Sequence, residues 1–600
     1  MKRLFDCIEI QAKAPKPDLL NAKENGVWVK NSTQQVHEKV YQLAAALLNM
    51  GVSANGGTTE GRDKIALISN GRSEWIITDL AVQLTGAILV PLYPNTTSKE
   101  IEQILIEAEV KYIFVSNQEL YGKVNIIRQN VPSLKEIFTF DNLAVGTYWK
   151  TILKPATSAD LDKINAITTG ITEGNIATII YTSGTTGRPK GVMLTHKNIL
   201  SNAKASGDLL MQIPLTEYRA LSFLPLNHIF EKMCTYTYLF YNFSIWYAES
   251  MDTIGNDLRD VKPYIFTSVP RLLEKVFERI MIAGNQLTGV KKKLFFWAIN
   301  LAEQFEIEDR SWWYNTQLAI ADKLIFSKWR AAIGGNVKAI VVGSSACPIK
   351  LEKIFTAAGM VILEGYGLTE TSPVISVNTY NPEGRKFGTV GPLLADVQVK
   401  IAADGEILCK GPNVMLGYYK NPELSAEVLE DGWFHTGDIG MLDDDGFLKI
   451  TDRKKEIFKT SGGKYVAPLP IENKMKESPF IEQMMVIGDG EKYTAALIVP
   501  SYTNLKPWCA QNGISAASDA DLLKDSRVID LYHSVIDKYN PEFNHVEQVK
   551  NIVLLPAEWS IDSGELTPTG KMKRRVIMEK YNTEITKLYS GEAYLKPALS

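Results

Sequence analysis

The segment YTSGTTGRPKGVMLTH, Tyr181 to His196, places four small hydroxylated residues and three glycines around a lysine held behind a proline. Thr182, Ser183, Gly184, Thr185, Thr186 and Gly187 offer almost no bulk, so whatever binds there lies against the backbone. Phosphate fits. Such a loop presents several backbone N–H donors as a concave nest, adds hydroxyls, and has a cation nearby in Arg188 or Lys190. The preceding NIATIIYT reads as a short buried strand, and Thr195 in THKNILSNAKAS as a helix N-cap, so the loop joins a strand to a later helix. It is not a Walker loop, because Pro189 precedes Lys190 and Gly191 follows it. Taken alone, the stretch is equally a phosphate cradle or a solvated Gly/Thr linker.

The elements that must position such a loop belong to a long chain. Six hundred residues correspond to about four lobes, some of which can share one body. A hydrophobic share of 45% and a charged share of 22% are those of a soluble globular protein, and a net charge of -3 gives no global attraction to nucleic acid. Acidic ligands must therefore be met locally. Cys7, Cys234, Cys347, Cys409 and Cys509 are scattered and form no C-x-x-C pair, which reads as reduced, buried thiols in a cytoplasmic protein. Six scattered histidines offer no sequence-local zinc site. MKRLFDCIEI is interrupted by Asp6 and Glu9 and does not read as a secretory signal. MCTYTYLFYNFSIWYA is too short and too polar to span a membrane, and reads as a buried element or a pocket wall.

Along the first half, short apolar runs alternate with helical patterns. KIALIS, SEWIITDLAVQLTGAIL, ILVPLYP, TSKEIEQILIEAE with a Thr97 to Glu100 capping box, and KYIFVS predict parallel α/β layers. PYIFTSVP, KAIVVGSS and MVILEGYG repeat the rhythm, each ending in small residues, where open α/β sheets hold ligands. From about Val397 the texture turns to short strands with turn signals, a β-rich subdomain. TDRKKEIFKTSGGK then reads as a joint, and the rest as a smaller α+β unit.

Four further stretches follow the loop in order: EGYGLTETSP from Glu364, GWFHTGDIG from Gly432, ITDRKKEIFKTSGGKYVAPLPIE from Ile450 and LTPTGKMKRR from Leu566. With the loop, they resemble the motifs of the adenylate-forming enzymes over nearly the whole chain, and within that superfamily the long-chain fatty acyl-CoA synthetases. The resemblance implies an α/β fold with a large N-terminal domain of layered sheets and a β-rich subdomain (1–452), a hinge (453–458) with Lys455 at the pivot, and a mobile α+β domain (459–600). It implies ATP, Mg2+ and CoA as cofactors or co-substrates and a long-chain fatty acid as substrate. Thr182 to Gly187 and Lys190 would hold the β- and γ-phosphates. Tyr366, between Gly365 and Gly367, would stack on adenine; Thr369 would meet the α-phosphate; Glu370, with Thr185, would ligate Mg2+. Asp438 would accept the ribose hydroxyls, with Arg453 close by, and Gly343 and Ser344 would line the adenine side, although Ser344 and Ser345 stand where many relatives carry glycine. His228 in FLPLNHIFEK would sit between nucleotide and acyl chain, Lys571 would serve adenylation, and Lys459 the opposite face of the mobile domain. Each has a plain alternative: a turn Asp, a solvated Arg, a core Tyr or His, a surface Lys or Glu.

The implied reaction is a two-step ligation, in which a fatty carboxylate attacks the α-phosphate of Mg-ATP and CoA then displaces AMP. The rivals are a fatty acyl-AMP ligase serving a carrier protein and a non-catalytic lipid or nucleotide scaffold. The long-chain reading rests on the helical insert PRLLEKVFERIMIAG to ADKLIFSKWRAAIGG and on length. Lys291 to Lys293 followed by Leu294, Phe295, Phe296 and Trp297 leave a peripheral membrane contact and an inward-packed helix both open. Oligomeric state is not legible.

If the opening loop cradles phosphate, Thr185→Val with Thr186→Val removes two donors to a charged group, each worth roughly 1.5–3 kcal/mol. Steady-state kinetics should show a raised KM for ATP. An unchanged KM and kcat would remove the phosphate reading.

Overall fold

The computed structural model describes residues 1–183, 189–250, 253–561, 563–567 and 570–590. The chain forms two compact units, one of residues 1–400, 408–435 and 443–448, the other of residues 401–407, 436–442 and 449–600. The strand-rich stretch expected from Val397 onward is thus shared between them.

The first unit is built on two eight-stranded sheets. One runs Gly417–Tyr418, Pro189–Thr195, Ile176–Ser183, Ile88–Leu92, Lys64–Ile68, Val110–Val115, Glu136–Thr139 and Thr147–Tyr148. Its middle strands are parallel, and Lys64–Ile68 and Ile88–Leu92 are buried on both faces, so they read as apolar runs without alternation. The other sheet runs Val374–Val377, Val361–Gly367, Ala339–Val342, Ile265–Ser268, Arg219–Ser222, Ser244–Tyr247, Leu20–Glu24 and Val27–Asn31. Its interior strands are parallel and its edge pairs antiparallel. The three strand ends singled out in the sequence, those of Ile265–Ser268, Ala339–Val342 and Val361–Gly367, are adjacent in this sheet.

Two helices, Ser73–Leu84 and Ile229–Phe240, are buried at every residue. A helix enclosed on all sides is apolar all round, and charge inside it must be paired. Lys232 is fully buried and meets Asp79, likewise buried. Asp79 also accepts from Tyr236 Oη at 2.7 Å and from Gln83 Nε2 at 2.9 Å, and the ammonium lies 4.9 Å from the Trp75 ring. Burial pushes the Lys232 ammonium down from its ordinary pKa, and Asp79 pulls it back. On the next residue, Glu231 accepts from Thr267 Oγ1 at 2.5 Å. The Ile229 helix is therefore bolted to the Ser73 helix on one side and to the sheet on the other.

The long insert forms helices Pro270–Asn285, Gly289–Glu303 and Trp312–Ala321. Phe295 packs so closely that a Cβ on Gly284 would stand 2.0 Å from its ring, which explains the glycine inside the Pro270 helix. In the second unit, strands Ile481–Ile487, Ala495–Pro500 and Asn551–Leu554 form a three-stranded sheet. Met484, Val486 and Ile498 pack with helix Ser526–Tyr539, while Met485, Ile487 and Leu497 pack with Trp559 and Ile577.

Because removing one member strands a buried charge, Asp79→Ala should destabilise the first unit by about 3–5 kcal/mol, whereas the apolar pair Asp79→Leu with Lys232→Met should be much milder. Thermal melts of both variants check this. Similar losses in the two would show that charge pairing is not what matters there.

Candidate active site

The described residues of the segment singled out first belong to two paired strands. Ile176–Ser183 pairs antiparallel with Pro189–Thr195, setting Thr182 opposite Lys190. The sequence expectation of a strand leading to a later helix omits this second strand. Helix His196–Leu210 follows it, with Thr195 as N-cap accepting from Asn198 N. Gly184, Thr185, Thr186 and Gly187 lie outside the described residues, as does Arg188. Thr182 Oγ1 is buried without a hydrogen-bond partner among the described residues.

Lys190, on the second of these strands, is brought to Glu370. Its Nζ donates to Tyr418 Oη at 2.8 Å and lies 3.4 Å from Glu370 Oε1, while Tyr418 Oη donates to that same carboxylate oxygen at 2.8 Å. Burial, then Glu370, push the Tyr418 phenol far above its ordinary pKa, so it stays a donor. Tyr418 arrives because Gly417–Tyr418 adds a short strand to the pair. Nothing in its local sequence marks it as a site residue, since its partners lie some 50 and 230 residues away.

Tyr366 and Glu370 sit where Val361–Gly367 turns back into Val374–Val377 through a 3-10 turn at Thr369–Thr371. A Cβ on Gly367 would stand 1.7 Å from Pro373 O, so only glycine closes this turn. Tyr366 and Thr369 are half-buried, and the Glu370 carbonyl is fixed by Met415 N at 2.8 Å. Beside them, Gly343 N donates to Ser268 O at 3.3 Å, and a Cβ on Gly343 would lie 3.7 Å from Gly365 O. Ser344 has φ +73, a conformation glycine adopts freely, which is the physical sense of the glycine expected there. His228 is the N-cap of the Ile229 helix, its Nδ1 accepting from Phe230 N at 3.2 Å. In the neutral ring this acceptor role leaves the proton on Nε2. The adjacent Asn227 is fully buried with neither amide atom paired, a donor and an acceptor that sequence reasoning passed over.

Under the strand ends, the buried carboxyls of Glu352 and Glu364 hydrogen-bond to each other. Glu364 Oε1 accepts from Cys347 N at 3.0 Å, and Glu352 Oε2 from Gly388 N at 3.0 Å. Burial, then mutual repulsion, hold Glu364 well above the ordinary carboxylate range, and burial raises Glu352. Two carboxyls in contact cannot both ionise cheaply, so the pair keeps a proton and clasps the backbone after Ser345 to the start of the Tyr366 motif. Glu364 was visible only as the first letter of that motif, and Glu352 had no signal.

In the second unit, Asp438 and Arg453 come together, with Arg453 Nε 3.4 Å from Asp438 Oδ1. Asp438 is buried, and its N donates to Thr436 Oγ1 at 3.1 Å. The neighbouring Gly437 N donates to Glu406 Oε1 at 2.9 Å, and Lys454 Nζ to Glu406 Oε2 at 2.8 Å. Lys455 is exposed in a turn, and Glu456 pairs with Arg574 Nε at 3.1 Å. Arg574, which also donates to Val486 O at 3.0 Å and pairs with the buried Glu472, ties the proposed hinge stretch to the small unit's core. Lys459 is exposed on the short strand Phe458–Lys459, 5.5 Å from the Tyr465 ring. Lys571 is exposed on a turn closed by Thr567 N to Lys571 O at 2.7 Å and Gly570 N to Thr567 O at 2.8 Å. Gly570 has φ +77, the left-handed conformation that residue permits.

The donor set can be tested against Mg2+. Among the described residues no group of three His, Cys, Asp or Glu forms a metal cage. A magnesium ion in a nucleotide site needs only one or two carboxylates, the rest coming from phosphates and water. The single buried Glu370 beside Lys190 fits that pattern and fits no tightly held resident metal.

The AMP-binding enzyme family matches residues 11–419, and the AMP-binding enzyme C-terminal domain matches residues 455–593. The long-chain-fatty-acid–CoA ligase FadD15 of Mycobacterium bovis is 32% identical over 573 residues, covering 95% of this chain and 94% of the relative. Long-chain-fatty-acid–CoA ligase 1 of Cavia porcellus is 32% identical, covering 98% and 87%. The A domain of the carboxylic acid reductase of Segniliparus rugosus, solved with AMP and a co-purified carboxylic acid, superposes with TM-score 0.72 at 20% identity. That match covers 98% of this chain and 94% of the other, and it shows the fold. The chain belongs to the AMP-binding enzyme family.

The carboxyl pair carries a pH signature. Above the ordinary glutamate value of 4.5 the unfolded chain releases protons that the folded pair retains, so the pair's contribution to stability falls as pH rises toward the folded pKa. Glu364→Gln should flatten this fall, giving a melting temperature less sensitive to pH between 5 and 8 than that of the parent. Parallel curves would show that the pair holds no extra proton.

Proposed function

We propose that this member of the AMP-binding enzyme family ligates a long-chain fatty acid to CoA, using ATP. The observation that carries the reading is an apolar cavity in the first unit, walled by the Ile229 helix through Phe230, Met233, Cys234 and Thr237 and by Leu210 and Leu363. Its lining is predominantly apolar, as in sites that take hydrophobic small molecules. Phe230 connects it to the strand ends, since a Cβ on Gly343 would stand 3.4 Å from its ring. An acyl chain lying there would bring its carboxylate toward Gly343, Gly365 and His228.

In the first step a carboxylate oxygen attacks the α-phosphorus, the new O–P bond forms, and the bond to the bridging oxygen breaks with departure of pyrophosphate. Thr182 to Gly187 and Lys190 would hold the departing phosphates, Tyr366 the adenine, Gly343 and Ser344 its edge, and Thr369 the α-phosphate. Glu370 would hold Mg2+, which when bound neutralises phosphate charge. Moving onto the metal, the Glu370 carboxylate would exchange Lys190 and Tyr418 as partners, leaving the ammonium for phosphate. Asp438 would accept the ribose hydroxyls, helped by Arg453, and Lys571 would supply positive charge to the adenylation step. In the second step the CoA sulfur attacks the acyl carbon and AMP leaves, with Lys459 on the face presented then. A carboxylate oxygen is a poor leaving group and AMP a good one, so the enzyme's work is positioning and charge stabilisation.

The hinge is placed at 453–458 with Lys455 as pivot, between domains 1–452 and 459–600; the boundaries of the two family matches, 419 and 455, support it. A cytoplasmic location is supported by five cysteines, all buried as free thiols. No described helix is long and apolar enough to cross a membrane, and the reading includes a peripheral contact with the bilayer, where long-chain acids partition.

Pyrophosphate and AMP release over an acid panel from acetate to oleate, with and without CoA, tests the reading. Each methylene should improve kcat/KM by roughly fourfold, about 0.8 kcal/mol, until the cavity is full. Lys571→Ala should slow pyrophosphate release while sparing thioester formation from presynthesised acyl-adenylate. Acetate matching palmitate would overturn the long-chain reading, CoA-independent turnover would favour delivery to a carrier protein, and no turnover would favour a scaffold.

A further inference from the structure

The helical insert of the first unit carries an apolar face that its own core does not use. Helix Trp312–Ala321 continues through a wide turn, Asp322–Phe326, into helix Ser327–Ala332. Its inner side is accounted for, since Ala321, Phe326 and Trp329 are buried against Phe295 and the residues around it. Its outer side exposes Trp312 at 78% and Trp313 at 61%, then Ile320 and Leu324. The spacing of 313, 320 and 324 keeps these residues on one stripe.

The charge beside this stripe is basic toward its Leu324 end and acidic just before Trp312. From Trp312 to Ala332 the sole carboxylate is Asp322, and it is paired with Arg330; Lys323 and Lys328 are exposed. The neighbouring helix Gly289–Glu303 runs antiparallel beside it, as Trp297 Nε1 donates to Gln317 Oε1 at 3.4 Å and Tyr314 Oη to Leu301 O at 2.6 Å. Continuing that register at 1.5 Å per residue sets Lys293 and Lys291 beside residues 321 to 324. Val290, Lys291 and Lys293 are exposed there, and no carboxylate occurs from Ile280 to Ala302. Glu308 and Asp309, exposed just before Trp312, bound the patch at its other end.

Of the two positions open to Phe295 to Trp297, facing lipid or packing inward, the structure takes the second, with Phe295 buried and the other two half-buried. The lysines of that segment remain outside and join a different set of aromatics. We propose that Trp312, Trp313, Ile320, Leu324 and Val290, with Lys291, Lys293, Lys323 and Lys328 clustered toward the Leu324 end, form a docking surface for an anionic phospholipid bilayer. Exposed tryptophans suit the headgroup level, where an apolar ring and an N–H donor are both accommodated, and lysines farther along the same helix pair draw the surface to negative lipid. A soluble partner with an apolar groove would not need four cations beside it, and a second copy of this patch would set like charges against each other. The proposal deepens the peripheral contact offered above and rests on that reading for the identity of the partner, not on the ligase chemistry.

Flotation of the full-length protein with phosphatidylcholine vesicles, alone and with a third of phosphatidylglycerol, tests it. The protein should float with the anionic vesicles and much less with the neutral ones, and rising salt should release it. Lys323→Ser with Lys328→Ser should weaken binding by about fivefold per lysine, and Trp312→Ser with Trp313→Ser should weaken it on both vesicle types. These surface variants should keep the parent's melting temperature and its activity on a short, water-soluble acid. Binding unchanged in both variants, or no flotation of the parent, would overturn the proposal. So would a parent dimer, seen by sedimentation, that the tryptophan variant abolishes. Loss of ligase activity in the parent with vesicle binding intact would count against the ligation reading alone.

Discussion

A helix enclosed on every side has to be held by something more directional than apolar contact, and in this molecule two adjacent buried charges do that. Lys232 reaches one way to Asp79 in the Ser73 helix, and Glu231 the other way to Thr267 in the sheet. Dispersion and the hydrophobic effect would tolerate a rotation or slide of the Ile229 helix; a buried ammonium and a buried carboxyl, each with its partner on a different element, would not. The carboxyl's pKa is pushed up to about 7 by burial, so Glu231 can serve as a neutral donor or as an acceptor near neutrality, and Thr267 suits either state.

Much of the site inherits its placement from that helix. His228 caps its first turn, Phe230 extends toward Gly343, and Met233, Cys234 and Thr237 wall the apolar cavity. The helix end thus meets the strand ends where polar groups gather, while its body lies along apolar space. An acid with one charged end and a long apolar remainder has the same polarity along its length. The adjoining strand ends are fixed by different means, namely the Glu352 and Glu364 clasp beneath them and the forced glycine at 367.

Charge is handled in two ways in the molecule. Around Glu370 it is compact: one carboxylate, one ammonium and one phenol within hydrogen-bonding range, an arrangement that can exchange partners when phosphate arrives. On the outer face of the Trp312 helix it is dispersed, with exposed lysines strung along two neighbouring helices and aromatic rings no core requires. The first arrangement suits a small, densely charged ligand, and the second an extended one of low charge density.

The sequence by itself determined the α/β layering, the caps at Thr97 and Thr195, and the order of the glycine-rich and charged motifs, because each depends on residues within a few positions of one another. It also marked Lys190, Tyr366, Glu370, Asp438, Arg453 and Lys571, whose motifs are local. Tertiary structure alone decided that Lys190 meets Glu370 through Tyr418, that Glu352 meets Glu364, and that Arg574 holds Glu456. Those contacts join residues from 12 to some 230 positions apart, and strand pairing and burial, which no local pattern encodes, bring them together. The same limit left open which side Phe295 to Trp297 would take. A run such as KKKLFFW states that rings and lysines lie on one helix, but which side is covered depends on whether a neighbour such as Gly284 lets a ring in.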